Sequence, residues 1–358
     1  MQASTPAEAG FDPERLSEAV AFATVNESTM DRDIAEALDG GHFSEPLPDG
    51  EILGPTRPRG DPNGMILRGG KIAAQWGPVD APDMTFSVTK SYLAICAGLA
   101  FDDGLIDLDT PCQATIPNLF DAPQNRAITW RHLLHQTSEW EGTLWTKADR
   151  IDRNRSLSTA PGTASQKGTH RDLAEPGGFW EYNDIRVNVL SYALMQTFRR
   201  PLPEVLKERV MDPIGASSLW EWHGYGANST VEIDGRAMES VSGGAHWGGG
   251  LMIPTTDHAR VGLLMVHNGQ WGERQILSQD WVEQCLIPCP LNAGYGFMWW
   301  LNQNGQTAPS APSTSYFAIG VGRNAIWVDP HLDLVAVVRW IDRDSFDGFV
   351  SRVMAAIS

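Results

Sequence analysis

The chain has 358 residues, enough for one large domain or two interleaved ones, and its 42% apolar content with 14 tryptophans argues against a disordered chain. Lys and Arg number 27 against 44 Asp and Glu, a formal charge of −17, so phosphate backbones and anionic lipid headgroups are repelled, and nucleic acid and membrane are set aside as partners. Only five of the 27 cations are lysines. The four cysteines, Cys96, Cys112, Cys285 and Cys289, form no CxxC and read as buried thiols rather than disulfides or a zinc site. The amino terminus lacks the pattern of a secretory leader and no apolar run reaches membrane-spanning length, which gives a soluble, cytoplasmic protein as the expectation.

Along the chain, the first predicted helix covers Phe11 to Val25, with Asp12 as N-cap and Pro13 at the first helical position. Residues Asp39 to Gly64 are rich in Gly and Pro and read as irregular loop. MILRGGKIAAQWG then gives a hairpin around Gly69-Gly70. From Ser87 to Phe101, Val88, Tyr92, Ile95 and Leu99 recur at helical spacing. The middle reads as helix and loop, with helices near 128 to 136, 187 to 198 and 202 to 211 and few strand signals. Strands return at SYFAIG and at NAIWVDPHLDLVAVVRW, and a last helix is expected from Ser345 to Ile357. Gln303 to Ser315 is of low complexity and reads as surface loop. This order predicts an α/β (α+β) fold: an antiparallel sheet flanked by amino- and carboxyl-terminal helices. The sheet domain is discontinuous, residues 1–105 and 240–358, and a mainly helical domain, 106–239, is inserted in it, with the active site at their interface.

The sharpest local feature is Phe86-Ser87-Val88-Thr89-Lys90 at the start of the best helix. A serine and a lysine three apart share one helix face, so the amine reaches the hydroxyl, and the positive end of the helix dipole lowers the cost of an alkoxide. The four-residue pattern alone is common enough that context has to decide. Tyr182, in Pro176-Gly177-Gly178-Phe179-Trp180-Glu181-Tyr182-Asn183-Asp184, supplies a phenol that beside a lysine passes a proton between serine and leaving group. In Phe317-Ala318-Ile319-Gly320-Val321-Gly322-Arg323, read as opening the penultimate strand, the glycines either relieve crowding in a bulged strand or admit a substrate carbonyl close to the backbone, where an N–H forms an oxyanion hole with that of Ser87.

Together these motifs, with Ile128-Thr129-Trp130-Arg131-His132-Leu133-Leu134-His135-Gln136-Thr137-Ser138 and Gly248-Gly249-Gly250-Leu251-Met252, resemble the serine β-lactamase and penicillin-binding-protein superfamily, in its class C-like branch of esterases, D-amino-acid peptidases and 6-aminohexanoate-dimer hydrolases. The resemblance implies a β-lactamase/transpeptidase-like fold and an acyl-enzyme on Ser87, with Lys90 as partner base, Tyr182 as the tyrosine of a YxN motif, an oxyanion hole of the Ser87 and Val321 N–H groups, and no metal or organic cofactor. Two positions depart from the family. Asp184 stands where YxN has asparagine, and an ionised Asp184 favours the ammonium of Lys90 and leaves more of the base role to Tyr182. Ala318-Ile319-Gly320 stands where the family has Lys-Thr-Gly or His-Thr-Gly, so the cation that holds a substrate carboxylate is missing unless Arg323 or His246 replaces it.

The expectation is therefore a carboxylesterase or amidase for small neutral substrates, with weak or no β-lactamase activity. Its rivals are an amide-oligomer or D-aminoacyl peptide hydrolase, a transacylase, and a catalytically silent binding protein of the same fold. Candidate substrate-binding residues are Asp184, His246, Trp247, Gly320, Gly322 and Arg323, with Trp140 and Trp145 either walling the acyl pocket or packing in the core. His132 and His135 lack a third metal ligand and read as helix-face residues.

Overall fold

The computed structural model describes residues 1–39, 44–157 and 166–358. Seven strands form one sheet in the order Gln2–Ala3, Lys71–Trp76, Asn63–Arg68, Leu334–Arg339, Asn324–Asp329, Tyr316–Gly320 and Trp300–Leu301. The outermost pair, Gln2–Ala3 beside Lys71 and Ile72, is parallel, and the others are antiparallel. The two ends of the chain thus share a sheet, and their seam places Ala336 opposite Ile66 and Val337 opposite Met65. Successive side chains alternate faces along a strand. Ile66, Ala336 and Val338 accordingly pack with helices Pro13–Val25 and Phe346–Ala356, while Met65, Val335 and Val337 pack with Val88–Asp102 and Thr255–Val266.

Local chemistry sets the element ends. The Asp12 carboxylate accepts from the N–H groups of Glu14 and Arg15, both at 3.0 Å, so the first helix starts at Pro13. The helix expected from 187 begins three residues earlier, at Asp184, because the Asn183 carboxamide oxygen caps Ile185 and Arg186, both at 3.1 Å. The helix near 202 ends at Leu206 and widens into a π turn over Lys207–Met211. Between 106 and 239 the described residues also form five short strands: Thr143–Leu144, Lys147–Ala148, Glu221–His223, Thr230–Ile233 and Arg236–Glu239. Runs of two to four residues are too short to leave a period-two signal, which is why the sequence hides them.

Of the stretch Asp39 to Gly64, Asp39 ends a helix, Ile34–Asp39, residues 44–62 run without helix or strand to the strand at Asn63, and positions 40–43 lie outside the described residues. Gln303 to Ser315 is a loop, pinned by Asn302, whose carboxamide donates to the carbonyls of Ala308, Ala311 and Pro312 at 2.9 to 3.1 Å. All four cysteines are buried and unpaired. No described helix is long and apolar enough to cross a membrane.

A second, smaller sheet of Asp83–Met84, Gly250–Ile253 and Glu221–His223 lies under the start of the Val88–Asp102 helix. Arg339 of the main sheet, 1% exposed, joins the two by donating to the carbonyls of Met84 and Ile253 at 2.6 Å each, and to Asn324 Oδ1 at 2.9 Å. The Trp340 indole donates to Asp83 at 2.6 Å. Chain approaching residue 87 is thereby fixed from below.

Candidate active site

Ser87 is the N-cap of helix Val88–Asp102 and is partly exposed. Phe86 before it has φ +49°, the left-handed region, which costs a residue with a Cβ about 1–2 kcal/mol. Its ring is held edge-on by Trp340 at 6.3 Å. Gly244, at φ +82°, backs the same turn: a Cβ there would lie 2.0 Å from the Phe86 carbonyl oxygen. Strained backbone next to a half-open hydroxyl is the arrangement expected of a functional position rather than a packing one.

Lys90, one helical turn on, donates Nζ to Ser87 Oγ at 2.8 Å and to the Gly243 carbonyl at 3.2 Å. The same Nζ lies 2.8 Å from Asp184 Oδ1, an ion-pair contact outside hydrogen-bond geometry, and 5.1 Å from the centroid of the Tyr182 ring. Lys90 is 1% exposed, so its charge is balanced by protein and not by solvent. Gln136 positions Tyr182 from both sides, its main-chain carbonyl accepting from Glu181 N–H at 3.0 Å and its Oε1 from Asn183 N–H at 2.9 Å. The Tyr182 ring stacks on Trp300 at 5.6 Å and meets Tyr295 edge-on at 6.3 Å, while Tyr295 accepts from Gln136 Nε2 at 2.9 Å. Trp180 completes this aromatic wall.

Gly320 ends one strand, and Val321–Arg323 form the turn into the next rather than the opening of a strand. A Cβ on Gly320 would lie 2.2 Å from Thr85 O and 3.1 Å from Ser87 N. Only glycine admits this approach, which brings the backbone leading into Val321 against that of Ser87. Ala318, at the family's cation position, is buried in the strand.

Asp184, 2% exposed, is held by Lys90, by Arg155 Nη1 at 2.7 Å from Oδ2, and by His246 Nδ1 at 3.1 Å from Oδ2. Burial alone would raise its carboxyl, but Arg155, then Lys90 and His246, outweigh burial and hold it well below the usual carboxylate range. Asp184 is therefore ionised. Asp152 continues the network, accepting from Asp184 N–H at 2.8 Å and pairing with Arg155 at 3.3 Å and Lys167 at 3.2 Å. On the far side, His246 Nε2 lies 2.9 Å from Glu45, which also pairs with Lys167. Donor atoms of Glu45, Asp152 and His246 converge within 4.8 Å of one another. The Lys167 ammonium contacts all three, so the cluster is built as an ion-pair network around that cation.

The remaining candidates fall in other places. Trp140 donates its indole N–H to Leu119 O at 2.8 Å, and Trp145 meets Tyr225 edge-on at 5.8 Å, so both are core residues of the helical region rather than walls beside Ser87. Trp247 is fully buried, donating to Asp49 O at 2.8 Å under the His246 ring. Gly322 packs on the Trp340 ring. The Arg323 guanidinium lies 5.0 Å from the centroid of Phe346 in the last helix, and burial brings it down to about 10. Its contacts are with that helix and not with Ser87, Lys90 or Tyr182. His132 Nδ1 accepts from Thr129 N–H at 3.2 Å as part of a helix cap, and His135 packs on Phe297, where burial lowers it to about 4.

Sequence reasoning missed Arg155, Asp152, Lys167 and Glu45, and the aromatic pair Tyr295 and Trp300. The only signal for the pair was the aromatic density of Gly294-Tyr295-Gly296-Phe297-Met298-Trp299-Trp300. The charged four carry none, since loops bring them together.

Residues 65–345 match the family described as Beta-lactamase, which is more than half of the chain: the protein belongs to the beta-lactamase family. It is 24% identical over 326 residues to the 6-aminohexanoate-dimer hydrolase of Paenarthrobacter ureafaciens, covering 82% of this chain and 77% of that protein. Among solved structures, it is similar to a penicillin-binding-protein homologue from Caulobacter crescentus, with TM-score 0.63 at 13% identity over 97% of this chain and 99% of the other. The hydrolase EstCE1 gives TM-score 0.61 at 17% identity over 96% and 98%.

Proposed function

We propose that this protein is a serine hydrolase that forms an acyl-enzyme on Ser87, acting as a carboxylesterase or amidase on small neutral substrates. The observation that carries the reading is one buried ammonium, Lys90 Nζ, 2.8 Å from Ser87 Oγ and over the ring of Tyr182. In the first stage Ser87 Oγ attacks the carbonyl carbon while its proton passes to Lys90 or Tyr182, and the oxyanion rests on the N–H groups of Ser87 and Val321. The leaving group collects its proton through Tyr182. Water then enters by the reverse path, the Ser87 ester bond breaks, and the acid leaves. Asp184 is ionised and lies 2.8 Å from Lys90, and this reading gives Tyr182 the larger share of proton transfer.

The chemistry is that of a serine hydrolase of the esterase or amidase type. An amide-oligomer hydrolase is the second reading, favoured by the likeness to the 6-aminohexanoate-dimer hydrolase. The neutral-substrate assignment rests on Ala318, which offers no charge where the family has a cation, and on an Arg323 turned to Phe346. A panel of a p-nitrophenyl ester, its matched anilide and the cephalosporin nitrocefin tests it. Ester or anilide turnover well ahead of nitrocefin is expected, and nitrocefin turnover equal to the ester's would overturn it. The division into a sheet domain of 1–105 and 240–358 and an inserted domain of 106–239 belongs to the same proposal, since Ser87 and Gly320 come from the first and Tyr182 from the second. The four unpaired buried cysteines support a cytoplasmic location.

A further inference from the structure

Asp184 creates a problem that asparagine at the same place does not. A buried carboxylate stands 2.8 Å from the amine that has to exchange a proton with Ser87, and a negative charge at that distance opposes release of a proton. The groups facing this centre are Ser87 and Lys90 from one helix, Tyr182 from the chain before the next, Tyr225 and Tyr295 from behind, and the charged set of Arg155, Asp152, His246, Lys167 and Glu45. Within that set the formal charges are Lys90, Arg155 and Lys167 against Asp184, Asp152 and Glu45, which sums to zero with His246 neutral. Arg155 is the cation with contacts on both sides. Its Nη1 lies 2.7 Å from Asp184 Oδ2, and its Cζ lies 5.5 Å from the Tyr182 ring centroid. It is 4% exposed and is held from behind by Asp152 at 3.3 Å.

We propose that Arg155 is a positioning residue for the reaction: it takes up one oxygen of Asp184 and presents a fixed positive charge to the face of Tyr182, so that the proton of Ser87 can leave although a carboxylate stands beside Lys90. The inference rests on the acyl-enzyme reading and adds to it a residue that touches neither substrate nor Ser87. The direction of its effect does not depend on which group takes the proton. Removing a positive charge disfavours loss of a proton from Lys90 and from Tyr182 alike, so the acid limb of the rate profile moves to higher pH.

The test is the pH profile of Ser87 labelling by a fluorophosphonate probe, alongside kcat/KM for p-nitrophenyl butyrate, in wild type, Arg155→Gln, Arg155→Lys, Asp184→Asn and the double variant Arg155→Gln/Asp184→Asn. Arg155→Gln is expected to lower the neutral-pH labelling rate by ~10-fold or more and to move the acid limb up by about one pH unit, with Arg155→Lys recovering much of the loss. Asp184→Asn moves the limb down. The double variant, which removes one charge of each sign, returns it toward wild type. Equal loss at every pH with an unmoved limb, or a double variant whose limb stays where Arg155→Gln alone puts it, overturns the proposal and makes Arg155 a structural residue. Wild-type protein that fails to label at Ser87 instead overturns the acyl-enzyme reading itself, so the two failures are told apart.

Discussion

Two buried charge networks meet at one short stretch of chain, Glu181 to Arg186, and they do different things. Tyr182 and Asp184 turn to one side, where they join Lys90, Arg155 and His246 around Ser87. Glu181 and Arg186 turn to the other, where they join Glu139, Arg171, Asp149 and Arg153. The second network is as dense as the first. Glu139 is fully buried, with Arg171 at 2.6 Å, Arg186 at 2.7 Å and the Ala174 N–H at 2.9 Å. Yet its members pair with one another and with main-chain groups, and none reaches a nucleophile. Buried charge by itself therefore does not mark a site. What distinguishes the Ser87 side is a partly exposed hydroxyl on a left-handed turn, held against an amine whose carboxylate partner is shared with a second cation.

That contrast breaks most sharply at Ser87. Ser87→Ala is expected to remove p-nitrophenyl ester turnover by a factor on the order of 10³ or more while leaving the melting temperature close to wild type; retained turnover would place the chemistry elsewhere. Next come Lys90→Ala and Tyr182→Phe, each expected to lower kcat by ~10²–10⁴, with the double variant little worse than the singles because the groups act as a unit. Two near-normal rates would remove both from proton transfer.

On the other side the effect should fall on stability. Glu139→Gln leaves Arg171 and Arg186 without their shared carboxylate and is expected to cost about 3 kcal/mol in urea unfolding, with turnover per folded molecule within about threefold of wild type. A large loss of turnover at unchanged stability would mean that the two networks are not separate in function.

The smallest effect is common to both networks and appears only in acid. In Glu139, Asp152 and Asp184 burial acts to raise the carboxyl, but the partners outweigh it and hold it below its ordinary value: Arg171, Arg186 and the Ala174 N–H for Glu139, Arg155 and Lys167 for Asp152, and Arg155 and Lys90 for Asp184. A carboxyl whose folded value is depressed contributes stability that is fully present above the ordinary range near pH 4 and is lost as pH falls through the folded value. The urea midpoint should be flat from neutrality to about pH 5 and fall below about pH 4, less steeply in Glu139→Gln. A midpoint unchanged down to pH 3 would contradict the pairing.

How much of this was legible in the sequence follows the distance over which each feature is encoded. Ser87 and Lys90 lie one helical turn apart, the Asp12 cap acts within three residues, and the Gly69-Gly70 hairpin is local, so spacing alone locates them. Tyr182 could be singled out only through its motif. The charge on Asp184 could be stated only as a condition, because its answer lies with Arg155, 29 residues away, and with His246, 62 residues away. Trp140 and Trp145 stay open between wall and core in the sequence, since an aromatic side chain looks the same in both until its indole partner is known. Arg323 stood close in sequence to Gly320 but faces the last helix, because a turn at Val321–Arg323 reverses the chain.

The most direct test of the central claim is the mass of the intact protein after brief exposure to a slowly hydrolysed p-nitrophenyl ester, followed by peptide mapping. The account predicts one added acyl group, located on the peptide that carries Ser87 and absent from Ser87→Ala. Turnover of the ester with no adduct on that peptide, or with the adduct on another residue, would contradict it.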